Sequence, residues 1–154
     1  GEIAEGSFLA QAGYAYAQNV GLTIGTNKAA AEAGDSRHGY SLAAAWAPAD
    51  SGFIPSVSGG WSMSDPDDSD EDIHGWYVGL EWSDVFIEGN SFGTAIGQAP
   101  KVSDDYNKMW EIFYKFAVTD NITVTPTYFI IDEYSGSLTS DYVHGAYVKT
   151  TFTF

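Results

Sequence analysis

Residues 107–132 read NKMWEIFYKFAVTDNITVTPTYFIID, and their spacing decides the fold. Before Asp120 the even positions are Trp110, Ile112, Tyr114, Phe116 and Val118, while the odd ones include Asn107, Glu111, Lys115 and Thr119. After Asn121 the even positions are Ile122, Val124, Pro126, Tyr128 and Ile130, opposite Thr123, Thr125 and Thr127. A period of two is that of a strand, whose side chains alternate between two faces. Two such runs separated by Asp-Asn predict a hairpin with a tight turn. Pro126 removes a ladder donor in mid-run, which suits a bulge or an edge.

Working outward, the same period predicts strands over 7–17, 20–27, 37–47, 54–64, 73–83, 91–99, 107–119, 122–132 and 142–154. Most run to ten residues or so, longer than the globular mean of about 5–6. Tyr40, Leu42, Ala44 and Trp46 oppose Gly39 and Ser41, and Val57, Trp61 and Met63 oppose Ser56, Ser58 and Ser62. Trp76, Val78, Leu80 and Trp82 oppose Tyr77 and Glu81. One face is apolar with Trp and Tyr towards the strand ends, and the other is small and polar with a few charges. KAAAEA (28–33) reads as a loop rather than a helix. QN (18–19) and DN (120–121) are short turns, whereas polar connections such as DPDDSDED and DEYSGSLTSD are long. Short and long connections on alternate ends describe an up-and-down meander.

The 154 residues suit one domain, and the absence of cysteine excludes disulfides and thiolate metal sites. A net charge of −15 with only six Lys and Arg would repel phosphate, so no nucleic-acid partner is expected. No apolar run reaches the roughly 18–20 residues of a membrane helix, but a membrane strand needs only about 9–11, with alternate residues apolar. Long strands of similar length, aromatic residues near their ends and opposite charges on the polar face favour an antiparallel up-and-down transmembrane β-barrel. The alternatives are a soluble antiparallel β-sandwich or lectin-like binding module, and a small structural outer-membrane barrel. Nine strands is an odd number, which would put the two chain ends on opposite sides of the membrane. That count leads to the expectation of further strands before Gly1, with these 8–9 strands forming the C-terminal part of a larger barrel.

Four stretches also carry a family likeness: DSGFIPSVSGGW, WYVGLEWSDVFIEGNSFGTAIGQAP, WEIFYKFAVTDNITVTPTYFI and the terminal VKTTFTF. They resemble the C-terminal half of cyanobacterial outer-membrane porins, similar to the OprB-type carbohydrate-selective porins, some of which are described as iron-uptake porins. The resemblance covers residues 37–154 and implies a roughly sixteen-stranded barrel in the cell outer membrane, passing small hydrophilic solutes. In the cyanobacterial proteins an N-terminal surface-layer-homology domain precedes the barrel, and it is absent from this stretch. The resemblance further implies that Phe152 and Phe154 form the C-terminal signal read by the barrel-assembly machinery. Lys149 stands where a glycine is common in that signal. The implied partners are the lipid bilayer, small hydrophilic solutes or inorganic ions, and two further copies in a homotrimer.

The candidate pore-lining residues are Tyr77, Glu81, Glu111, Lys115 and Lys149, whose charges would tune permeation. Glu81 and Glu111 also admit a glycosidase reading, but lumen charges are the simpler one, so no enzyme is expected. Asp68, Asp70 and Asp72 begin like a calcium loop, but Ile73 replaces the glycine and Gly79 the final glutamate that loop needs. A solvated acidic loop is the expectation there, with loose divalent-ion binding by Asp68, Asp70 and Asp72 as the alternative, and no cofactor is expected. His38, His74 and His144 lie near strand ends without metal-ligand spacing and read as isolated side chains.

Overall fold

A computed structural model describes residues 5–18, 36–50, 52–67, 72–101, 108–132 and 142–154. They form eight strands: β1 (Gly6–Gln18), β2 (Ser36–Pro48), β3 (Ser56–Pro66), β4 (Ile73–Ser83), β5 (Ser91–Lys101), β6 (Lys108–Thr119), β7 (Ile122–Asp132) and β8 (Tyr142–Phe152). All lie in one antiparallel sheet in sequence order, β1 to β8. Strand periodicity therefore located these eight elements to within a few residues.

The count of nine is corrected by the pairing of β1 with β2. Gln18 lies opposite Ser36, so these two strands are direct neighbours and connection 19–35 returns to the end of the sheet that it left. Gln18 still belongs to β1, and Asn19 of the expected QN turn lies outside the described residues. The expected strand 20–27 and the KAAAEA stretch lie outside the described residues. With eight strands, β1 begins and β8 finishes at the same end of the sheet, so the parity argument for strands before Gly1 falls away.

Connections 49–55, 84–90 and 120–121 share that end. Connections 19–35, 67–72, 102–107 and 133–141 share the other, and in sequence they carry Glu32, Asp35, Asp67, Asp68, Asp70, Glu71, Asp72, Asp104, Asp105, Glu133 and Asp141. The sheet thus has a short-turn end and a strongly acidic end.

Pro126 lies in a central strand, which corrects the edge-or-bulge expectation. Pairing with β6 breaks between Phe113↔Thr127 and Phe116↔Val124 without a register shift, while Pro126 stays opposite Val148 on β8. The missing N–H removes ladder bonds on one side only.

Among the described residues Ile73, at 1% exposure, is the one large apolar side chain that is buried, with Pro66, before connection 67–72, buried as well. Large apolar residues instead stand open on one face, among them Phe8, Leu42, Val118, Val148 and Phe152. Neither face is covered by a second layer of described residues, which is the arrangement a sandwich would need. The sheet is curled rather than flat, because a single cavity of about 680 Å³ is lined from every strand, from Gln11 on β1 to Tyr147 on β8. The sheet is not closed: β1 and β8 are each paired on one side only.

Candidate functional site

The polar face lines the hollow, and β5 explains how side chains meet across it. Its residues on that face are Ser91, Gly93, Ala95 and Gly97, so little stands between β4 and β6. Glu81 of β4 and Lys115 of β6 reach over this low strand and form an ion pair, with Lys115 Nζ 2.7 Å from both carboxylate oxygens. The Ser91 hydroxyl donates to Glu81 Oε1 at 2.8 Å, and Lys115 Nζ sits 5.3 Å from the Phe113 ring centre. Each partner of the pair keeps about a third of its surface in solvent, so screening keeps its contribution near the 0–1 kcal/mol of exposed pairs.

The other candidates share this face without joining the pair. Tyr77 lies between Gly60 on β3 and Gly97 on β5, and Glu111 lies between Ala95 on β5 and Phe129 on β7. Both line the cavity. Lys149 is opposite Thr125 and exposed, away from Glu81. Thr127, expected as an open polar position, is 5% exposed and lies in register between Phe113 and Tyr147.

Parity alone missed a set of aromatic rings on the polar face. Phe113 covers Gly93 and Phe129 covers Gly145 so closely that a Cβ at either glycine would overlap the ring. Tyr77 covers Gly60 in the same way. A ring laid over a cross-strand glycine shields backbone that a larger residue would otherwise cover. The detectable signal was an odd-position aromatic matched, at the correct register, by a glycine on the next strand.

The apolar face carries two aromatic bands. Phe8 and Tyr14 on β1, Tyr40 and Trp46 on β2, Trp76 and Trp82 on β4, and Trp110 and Phe116 on β6 are pairs spaced six residues apart. The register gives the slope of the bands. Tyr40's row runs through Met63 to His74, but the aromatic residue on β4 is Trp76, two residues nearer the short-turn end. Trp76's row runs through Gln98 to Lys108, but the aromatic residue on β6 is Trp110, again two residues along. Trp46, Trp82 and Phe116 step in the same way. From β2 to β6 both bands therefore descend one residue per strand, whereas Phe8 and Tyr14 on β1 are level with Trp46 and Tyr40 on β2. Phe152 continues the lower band on β8, where it is opposite Ile122 and exposed; Phe154 is fully exposed.

Towards the acidic end, two histidines are not isolated, contrary to expectation. Tyr14 Oη lies 2.8 Å from His38 Nδ1, and Tyr128 Oη lies 2.7 Å from His144 Nδ1. His38 Nε2 is 3.7 Å from Asp67 Oδ1. All three histidines precede a glycine near the start of an even-numbered strand, at His38-Gly39, His74-Gly75 and His144-Gly145, a recurrence visible in the sequence. Asp72 is exposed, and Asp68 and Asp70 lie outside the described residues. No group of three potential metal ligands occurs among the described residues.

At the opposite end, turn 84–90 is held from several sides. Tyr114 donates its hydroxyl to the Val85 carbonyl at 2.5 Å, and Asp84 Oδ1 accepts from Gly89 N at 2.7 Å. Asn90, 4% exposed, accepts from Ala117 N at 2.9 Å and donates to Tyr114 Oη at 3.2 Å. Two non-glycine residues there are left-handed, Asp84 at φ 57° and Phe86 at φ 64°. Such backbone costs on the order of 1–3 kcal/mol per residue and persists where its surroundings over-determine it.

Among known proteins, an uncharacterized protein of Nostoc sp. (strain PCC 7120) is 31% identical over 162 residues, an alignment covering 98% of this chain and 27% of that relative. The chain thus spans about a quarter of the relative's length. No protein-family model matches, and no solved structure matches.

Proposed function

We propose that these strands form part of the wall of an outer-membrane β-barrel through which small hydrophilic solutes or inorganic ions pass by passive diffusion. The observation that carries the reading is the pair of parallel, slanted aromatic bands on an apolar face that nothing described covers. Interfacial aromatics mark a plane, the boundary between bilayer and water. From β2 to β6 a descent of one residue, about 3.3 Å, per strand spacing of about 4.8 Å means that these strands lie about 35° from the normal of that plane. Membrane barrel strands tilt by about 35–45°. A soluble sheet has no reason to order its exposed aromatics along such a slant.

The bands are closer together than the full apolar belt of known barrels. Six residues at about 3.3 Å each, tilted by about 35°, separate their Cα atoms by about 16 Å along the normal, against a belt of about 25 Å. The bands therefore mark the inner margins of the belt, and side-chain length and neighbouring apolar residues supply the remainder.

The concave polar face suits a water-filled lumen, with Glu81, Lys115, Glu111 and Lys149 as its fixed charges, Tyr77 as a wall residue and the acidic loops at one mouth. Transport requires no bond chemistry and no cofactor. The resemblance to cyanobacterial OprB-type porins points the same way, and it carries with it the barrel-assembly role of Phe152 and Phe154 and a trimeric state. The test uses the full-length protein. It should require detergent for extraction and should open stable ohmic conductances in a planar bilayer. Full solubility without detergent would overturn the membrane reading, and insertion without conductance would favour a structural barrel.

A further inference from the structure

We infer that two turns at the short-turn end are bilayer anchors, with Phe53-Ile54 and Phe86-Ile87 seated among the lipid headgroups and upper acyl chains of the leaflet at that end. The inference deepens the membrane reading above and rests on it. The two turns carry the same Phe-Ile pair, in SGFIPS and DVFIEG. All four side chains stand in the open: Phe53 is 98% exposed, Ile54 50%, Phe86 92% and Ile87 62%. Water-facing turns are ordinarily polar, and the third turn at this end, Asp120-Asn121, is polar and exposed.

One turn is latched to Trp82 of the lower aromatic band, and the other to Tyr114, whose ring lies 4.6 Å from that of Phe116 in the same band. Trp82 Nε1 donates to the Phe53 carbonyl at 3.1 Å. Tyr114 Oη donates to the Val85 carbonyl at 2.5 Å, and the Phe86 ring stacks on Tyr114 at 6.3 Å between centres. Phe86 also lines a shallow groove on the apolar face together with Phe92, Ile112, Pro126 and Val148. The apolar wall is thus continuous from the strands into turn 84–90. The left-handed backbone at Asp84 and Phe86, which a bulky residue rarely adopts, belongs to the conformation that keeps the Phe86 ring on this side. This surface adds height at the margin where the strand bands alone fall short of a full apolar belt, and aromatic residues favour the bilayer boundary.

Residues 1–154 contain no cysteine, so once any cysteine elsewhere in the full-length protein is replaced by serine, each introduced cysteine carries a single nitroxide label. Phe53→Cys, Phe86→Cys and Ile87→Cys would be labelled in the full-length protein, reconstituted in phosphatidylcholine vesicles. Ile87→Cys keeps the Phe86–Tyr114 contact intact should Phe86→Cys disturb the turn. Collision rates with oxygen, which partitions into lipid, and with a water-soluble nickel chelate would be compared with Val78→Cys on the apolar face and Asp120→Cys in the polar turn. The expected result is an oxygen-to-nickel ratio at 53, 86 and 87 several-fold above that at 120, approaching that at 78. Ratios at the turns equal to that at 120, with 78 lipid-exposed, would overturn the anchor and leave the barrel reading standing. Protection from both reagents at the turns would also overturn it, by revealing a protein contact. Nickel access at 78 would remove the membrane reading and the anchor together.

Discussion

Glu81 and Lys115 show what a single residue's chemistry owes to its neighbours. Sequence parity puts both on the polar face, but they are 34 residues apart and belong to strands that are not adjacent. They meet because Gly93 and Ser91 keep β5 low between them. We expect Lys115→Met to raise the cation preference of the proposed channel, measured as a reversal potential in a salt gradient, because Glu81 then loses its cationic partner on the polar face. Its effect on stability should stay within about 1 kcal/mol, since the pair is partly solvated. Gly93→Ala places a Cβ inside the Phe113 ring and should destabilise by about 1–3 kcal/mol through overpacking. Denaturant titration checks this, and adding Phe113→Leu should restore part of the loss, as coupled neighbours do. The glycines were legible as glycines; their aromatic partners became legible only with the register in hand.

Elements were the most legible level. Alternation over 107–132 predicts β6, a tight turn and β7, and the structure has them at Lys108–Thr119 and Ile122–Asp132. Faces were legible for the same reason, because a one-residue slip would turn every side chain over. Burial within a face was not. Thr127 alternates like Thr123 and Thr125, yet Phe113 and Tyr147 flank it in register on the neighbouring strands and it is closed off. The faces separate two substitutions. Ile112→Arg, between the two bands on β6, should cost about 2–4 kcal/mol in a bilayer. Gln11→Arg, exposed on the polar face, should stay within about 0.5 kcal/mol, as surface changes do. Reversible unfolding of each variant of the full-length protein from vesicles gives both numbers, and equal costs would contradict the assignment of lipid and lumen faces.

For the whole molecule, the open edges and the charge asymmetry matter most. The outer edges of β1 and β8 present unpaired N–H and C=O groups, and each such group left unsatisfied in hydrocarbon costs several kcal/mol. In a membrane both edges must find partners. Expressed alone, residues 1–154 are expected to self-associate in detergent, as read by light scattering after gel filtration. A monodisperse monomer would mean that β1 and β8 close on each other. The acidic connections gather at one end of the sheet because the meander brings alternate loops together, so their fields would add at one mouth of the proposed channel. Single-channel currents of the full-length protein should therefore favour cations, with a preference that shrinks as salt rises from about 0.05 to 1 M, where screening lengths fall towards about 3 Å.

The sequence by itself determined the strand character, the two faces, the acidic balance and the residues that carry charge on the polar side. These are local properties, set by a two-residue period and by side-chain chemistry. Only the tertiary structure decided that β1 and β2 are neighbours, that eight strands bring both ends of the sheet's path to one side, and that Glu81 meets Lys115 over β5. It alone aligned the aromatics into slanted bands and left the turn phenylalanines open beside them. Those outcomes depend on register between distant strands, and pairing energy accumulates over whole ladders rather than in any residue that can be read in isolation.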